Sequence, residues 1–226
     1  MLKRALLKYN YPQIVFAKRV SKFLRNSGKP IDTIIDCPCG NGETSYNIAR
    51  LTGARVIAGD ISPDSIKRCE SNFQFPKLSY EVTTIENMLI SQKQFDVFCV
   101  INSLFLLEDY NSILKSLQQN AGQNKAQVLV IIPNTEGKNF KWFQSQNTGE
   151  NKLIIKENEI GPFFSKYGFN TISVKPICYA HHYNRKDVKL FSVFWSLYLN
   201  FINSIQSALK IGKANYFLIA LTPQTT

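Results

Sequence analysis

Ile34-Ile35-Asp36-Cys37-Pro38-Cys39-Gly40-Asn41-Gly42-Glu43-Thr44-Ser45 reads as strand, glycine turn and helix in immediate succession. An apolar run from Ile31 to Ile35 ends in an acid, and a helix-forming segment from Glu43 to Leu51 follows the two glycines. Glycine has no Cβ, so a ligand can approach the bare backbone of such a turn. The free N–H groups at the start of the helix favour an anionic or polar ligand end. A dinucleotide site would place a third glycine three residues after Gly42, to let the helix pack closely on the strand. Ser45 stands there instead.

The segment resembles motif I of the class I S-adenosylmethionine-dependent methyltransferases, in which the first strand ends in an acid and the turn cradles the methionine moiety. Asp36 supplies that acid, and its carboxylate would accept from an ammonium group or order a water beside it, where a pyrophosphate would be repelled. Pro38 departs from the pattern. It occupies the usual first glycine, fixes φ and removes one amide donor, which leaves the close approach to Gly40 and Gly42.

A second match follows in order and at the right spacing. Ala54 to Asp60 reads as a strand ending in an acid, about 20 residues past the turn, where a ribose-binding carboxylate is expected in a doubly wound sheet. Ser62 and Pro63 then form an N-cap and a first helical residue, for a helix to about Asn72. Leu78 to Thr83 is a third strand. The adenine-binding acid of the family falls at Thr84, or at Glu86 two residues on. Phe95 to Asn102 is a fourth strand, apolar throughout and so buried on both faces. It resembles motif IV but lacks the His of the Leu-x-His pattern and the Asn-Pro-Pro-aromatic signature of base amino-group methylation. The resemblance therefore places Asp36, Cys37, Pro38, Gly40, Gly42, Asp60, Ile61, Thr84, Ile85, Glu86 and Asn102 around S-adenosylmethionine.

A helix from Tyr110 to Asn120 and a strand from Gln127 to Ile132 continue the alternation. Asn158 to Tyr167 reads as a helix, Phe169 to Ile177 as a strand and Asn215 to Leu221 as the last strand. Strict alternation of strand and helix argues for a parallel sheet with helices on both faces. The expected architecture is an α/β single domain over residues 1–226. It has a seven-stranded doubly wound sheet, mostly parallel, whose last strand the resemblance places antiparallel between the two before it.

The net charge is +11, and the segment 1–30 holds Lys3, Arg4, Lys8, Lys18, Arg19, Lys22, Arg25 and Lys29 without an acid. A targeting peptide can look like this, but the Val15 to Leu24 pattern leads straight into the first strand. An N-terminal helix with one face on the sheet and a solvated basic face is the preferred reading. An attraction for phosphate is the alternative. Five cysteines without a framework spacing point to a reducing, cytoplasmic setting, and no ligand set for a metal is evident.

Ligands bind outside the carboxyl ends of the strands in such sheets. Two insertions should rise there, residues 134–157 and 179–213. Trp142 and Phe143 in the first, and Tyr179, Tyr183, Phe191, Phe194 and Trp195 in the second, are the expected substrate walls. Leu190 to Leu209 carries no charge. Its serines and asparagines (Ser192, Ser196, Asn200, Asn203, Ser204, Ser207) share one helical face opposite an aromatic one, which fits an amphipathic helix better than a transmembrane span. The lack of Lys and Arg on that polar face disfavours a membrane surface, so the helix is expected to close the cleft. The adjacent His181 and His182 are the expected general bases.

These features point to a methyltransferase for a small or lipid-like acceptor, with S-adenosylmethionine as cofactor. An RNA methyltransferase and a non-catalytic S-adenosylmethionine-binding subunit are the alternatives. A nicotinamide oxidoreductase fits least.

Overall fold

In the computed structural model, which describes residues 11–138, 140, 153–179, 191–209 and 212–224, the described strands form one sheet in the order β3-β2-β1-β4-β5-β7-β6. The strands are β1 (Thr33–Asp36), β2 (Arg55–Asp60), β3 (Leu78–Val82), β4 (Val97–Ile101), β5 (Gln127–Pro133), β6 (Phe169–Ile177) and β7 (Tyr216–Pro223). The first five pair in parallel, with Ile35 beside both Ile57 and Phe98. Strand β7 runs antiparallel between β5 and β6, with Ile131 beside Leu218 and Val174 beside Ile219. The expected sheet, including the antiparallel last strand, is the one observed.

The helices are α1 (Gln13–Asn26), α2 (Glu43–Thr52), α3 (Pro63–Asn72), α4 (Ile85–Ser91), α5 (Tyr110–Asn124), α6 (Ile160–Ser165) and α7 (Phe191–Leu209). Alternate side chains of the central strands feed two apolar layers. Ile34, Val56, Val97, Cys99, Leu129 and Ile131 meet α1 and α2 on one face, where Leu199 of α7 joins them. Ile35, Ile57, Phe98, Val100, Val128 and Val130 meet α4, α5 and α6 on the other. Burial on both faces explains why β4 and β5 read as unbroken apolar runs.

Local signals set the helix starts. The Ser62 hydroxyl accepts from the Ser65 N–H at 3.2 Å, with Pro63 as the first helical residue of α3. The Asp109 carboxylate accepts from the Ser112 N–H at 3.0 Å to begin α5. Helix α4 was not expected from the sequence. The Thr84 hydroxyl caps it by accepting from the Asn87 N–H at 3.2 Å, and Ile85, Met88 and Leu89 bury its inner face. The segment expected as one helix from Asn158 to Tyr167 is a 3₁₀ turn, Glu157–Glu159, leading into α6.

Helix α1 buries Ile14, Val15, Phe16, Ala17, Val20 and Leu24, so its apolar face lies inward as expected. Lys18, Lys22 and Arg25 are exposed on its outer side. Arg19 is not solvated as a free charge, because its guanidinium donates to the Ser207 hydroxyl of α7 at 2.6 Å.

Candidate cofactor cleft at the carboxyl edge of the sheet

Strand order reverses between β2 and β4 on either side of β1, so the crevice of this fold opens at Asp36. Asp36 is buried, 1% exposed. Its Oδ2 accepts from the Ser45 hydroxyl at 2.6 Å, which explains why Ser and not Gly stands at the third position of the motif. Its Oδ1 is buried and has no partner among the described residues. Burial pushes the carboxyl up to about 7; the Ser45 hydrogen bond works against this and the charge of Asp60 adds to it.

The turn over Asp36 is held from both sides. Cys39 N–H donates to Gly59 O at 2.7 Å and Gly42 N–H to Cys39 O at 3.1 Å. Gly40 and Gly42 have φ of 55° and 76°, which side chains rarely tolerate. The two glycines serve different ends. A Cβ on Gly40 would meet open space, so this is where a ligand can approach. A Cβ on Gly42 would lie 2.7 Å from Cys69 Sγ and 3.1 Å from the Tyr80 ring, so Gly42 lets the turn seat on α3 and β3. Both amides are already paired, Gly40 N–H with Asp60 and Gly42 N–H with Cys39 O, so the two glycines differ in the space around them. Beneath the turn, Cys69 Sγ donates to Gly40 O at 3.3 Å. The Cys39 thiol meets that of Cys69, a contact that pushes Cys39 up and Cys69 down. Cys37 is buried against the core, and burial raises its thiol. Pro38 follows it through a cis peptide.

Asp60 ends β2, nearly buried. Its Oδ2 accepts from Gly40 N–H at 2.8 Å and its Oδ1 from Ser62 N–H at 3.0 Å. The carboxylate therefore fastens the turn to α3, a job the sequence reading did not assign to it. A carboxylate offers about four acceptor sites, so capacity remains for a ligand's hydroxyls. Ile61, next in the chain, is 72% exposed, an apolar side chain standing at the rim of the cleft.

The remaining expected residues divide. Thr84 spends its hydroxyl on capping α4, and the Ile85 side chain is turned into the core, leaving only its backbone for a ligand. Glu86 is exposed in the first turn of α4. Asn102 adopts a left-handed φ of 54° just past β4, and its Oδ1 is buried without a partner among the described residues, as is the neighbouring Ser103 hydroxyl. Phe105, Ile132, Pro133, Phe140, Leu153 and Ile155 line an apolar pocket beyond the ends of β4 and β5. Trp142, Phe143, His181, His182 and Tyr183 lie outside the described residues, as do the side chains of Phe191, Phe194 and Trp195.

Sequence reasoning missed a set of buried asparagines that tie the far part of this edge together. Asn134 Nδ2 donates to Ala214 O and Asn215 Nδ2 to Cys178 O, each at 2.8 Å. Asn203 of α7, 4% exposed, accepts from the Tyr179 N–H at 2.7 Å. These bonds gather the exits of β5 and β6, the start of β7 and α7 on the carboxyl side of the sheet. Asparagine in a polar stretch carries no periodic signal that would mark it as buried.

Residues 34–121 match the family described as "Methyltransferase domain". Among curated proteins, a demethylmenaquinone methyltransferase of Chlorobaculum parvum is 22% identical over 110 residues, 49% of this chain and 43% of that protein. The chain thus matches less than half the length of that relative. Among solved structures, an S-adenosylmethionine-dependent methyltransferase from Archaeoglobus fulgidus superposes with a TM-score of 0.56 at 17% identity, over 91% of this chain and 93% of that one. The plantazolicin methyltransferase BpumL in complex with SAH does so with a TM-score of 0.60 at 15% identity, over 99% and 96%. Sheet order and the antiparallel last strand are those of the class I methyltransferase fold, and residues 34–121, which hold the motif I turn, match the methyltransferase-domain family.

Proposed function

We propose that the protein binds S-adenosylmethionine across the carboxyl ends of β1, β2 and β4 and transfers its methyl group to a small or lipid-like acceptor. The observation that carries this reading is the buried Asp36 Oδ1, which has no partner among the described residues. A buried carboxylate oxygen is costly to leave unpaired, and an ammonium group at the crevice would answer it. Open space over Gly40 and the remaining acceptor capacity of Asp60 complete the fit for a methionine and a ribose. Ile61 stands where it can cover a base, with Thr84, Glu86 and the Ile85 amide at the neighbouring strand end. Asn102 offers a further acceptor.

When bound, the cofactor supplies an electrophilic methyl group that an acceptor displaces in line, a reaction that depends mostly on alignment. The protein's part is to hold the cofactor's polar ends, exclude water and take up the acceptor's proton. Two features favour an apolar acceptor: the apolar lining that Phe105, Pro133, Phe140 and Ile155 present beyond the ends of β4 and β5, and the named acceptor of the curated relative, demethylmenaquinone. Trp142, Phe143, Tyr179, Tyr183, Phe191, Phe194 and Trp195 extend the walls in this reading. His181 or His182 takes the proton.

Transfer of a labelled methyl group to a panel of quinols, phenols, amines and RNA tests the proposal. Transfer to an apolar organic acceptor supports it. Transfer to RNA alone replaces the acceptor class. Cofactor binding without any transfer identifies a non-catalytic binding subunit.

A further inference from the structure

We infer that the protein docks on an anionic membrane surface through α7, with α1 supplying the positive charge. Helix α7 sits in the opposite sense to a simple surface helix. Its inner side includes Leu199 and the buried Asn203, and the Ser207 hydroxyl accepts from Arg19 of α1. Its outer side carries Leu197, Phe201, Ile205 and Leu209, which are 45%, 64%, 40% and 63% exposed. These four recur at every fourth residue, so they form one ridge roughly 18 Å long. Together they expose roughly 400 Å² of apolar surface, the size of the largest patch on a typical monomer, which is often functional.

Sequence reasoning set a membrane aside because the helix bears no Lys or Arg. The structure places those charges on its neighbour. Lys18, Arg19 and Lys22 of α1 border the groove against Asn200, Asn203 and Ser204 of α7, and both lysines reach solvent. Neither helix contains an acid, and the chain as a whole carries +11. An apolar ridge beside lysines is the pairing that interfacial binding requires, with acyl chains taking the ridge and anionic headgroups the ammonium groups. A second copy of the chain fits less well. It would bring two strongly basic surfaces together, and a partner in a standard protein interface contributes about 800 Å², roughly twice this ridge. RNA would answer the lysines but leave the ridge in water.

This inference stands apart from the proposed methyl transfer and is tested without cofactor. The full chain is sedimented with vesicles of phosphatidylcholine alone and of phosphatidylcholine with phosphatidylglycerol. Binding is expected to the anionic vesicles and to weaken with salt. The double variant Leu197→Ser, Phe201→Ser should bind them at least about tenfold more weakly, because its apolar side chains no longer leave water. The double variant Lys18→Glu, Lys22→Glu should do likewise while losing most of the salt dependence. Circular dichroism and the thermal unfolding midpoint should stay unchanged in both. No binding of the unaltered protein to anionic vesicles overturns the inference, and so does full binding by the ridge variant. It is equally overturned if the ridge variant alters only the mass in analytical ultracentrifugation, or if RNA but not vesicles is bound through Lys18 and Lys22.

Discussion

Replacing Asp36 with asparagine separates the two jobs of this carboxyl group. In the protein without cofactor, burial holds the group's proton affinity up, with half-ionisation at about 7. In the unfolded chain an Asp ionises near 4. Between these values the unfolded state loses its proton while the folded state keeps it, so stability present below about pH 4 is lost as the pH rises to about 7. Three decades at about 1.4 kcal/mol each bring the loss to about 4 kcal/mol. The Asp36→Asn side chain would still accept from the Ser45 hydroxyl through its amide oxygen, and it does not titrate. Urea unfolding at a series of pH values should therefore show the variant gaining on the unaltered protein steadily from about pH 5 to pH 7, then running parallel to it. Cofactor binding should move the other way. An ammonium needs the ionised carboxylate, so affinity of the unaltered protein should fall several-fold from pH 7 to pH 6, approaching tenfold per pH unit below that, a dependence the variant should lack. Parallel stability profiles for the two proteins across this whole range would refute the buried-acid account.

Gly42→Ala adds a Cβ 2.7 Å from Cys69 Sγ at a left-handed φ, and should cost about 1–3 kcal/mol in thermal or urea unfolding. The same change at Gly40, which meets only open space, should strain the backbone but act mainly on cofactor affinity in calorimetry. Asn203→Ala leaves the Tyr179 N–H without its acceptor, so a loss of about 1–3 kcal/mol is expected, with faster amide exchange at Tyr179. The double change His181→Asn, His182→Asn should lower turnover by about 10²–10⁴ if either ring takes the acceptor's proton. Cofactor affinity should stay level, and unaltered turnover would leave alignment, or Tyr179 or Tyr183, to account for the reaction.

The sheet and the turn at its carboxyl edge were legible because their signals are local and covalently spaced. Asp36, Gly40, Asp60 and the Ser62-Pro63 helix start all express backbone requirements that a chain must meet within a few residues. Helix α4 is hard to see in the sequence because it spans under two turns and shows only Ile85, Met88 and Leu89 as a periodic face. The second role of Asp60, and the buried Asn134, Asn203 and Asn215, depend on partners distant in the chain, which no local pattern encodes. Helix α7 shows the limit most clearly. Periodicity revealed a polar and an apolar face, but not which one turns inward. That was decided by what the neighbours offered: the Tyr179 amide and the Arg19 guanidinium both sought polar partners.

In the proposed function, the edge built from Asp36, Gly40 and Asp60 cradles the cofactor. Calorimetric titration of S-adenosylmethionine into the unaltered protein and into Asp60→Ala tests it most directly. The variant loses a charged acceptor for the ribose and the anchor of the Gly40 amide, each bond to a charged group being worth about 1.5–3 kcal/mol. The account expects saturable one-to-one binding to the unaltered protein and at least about tenfold weaker binding to the variant. Absence of binding to the unaltered protein, or equal affinity in the two, would contradict it.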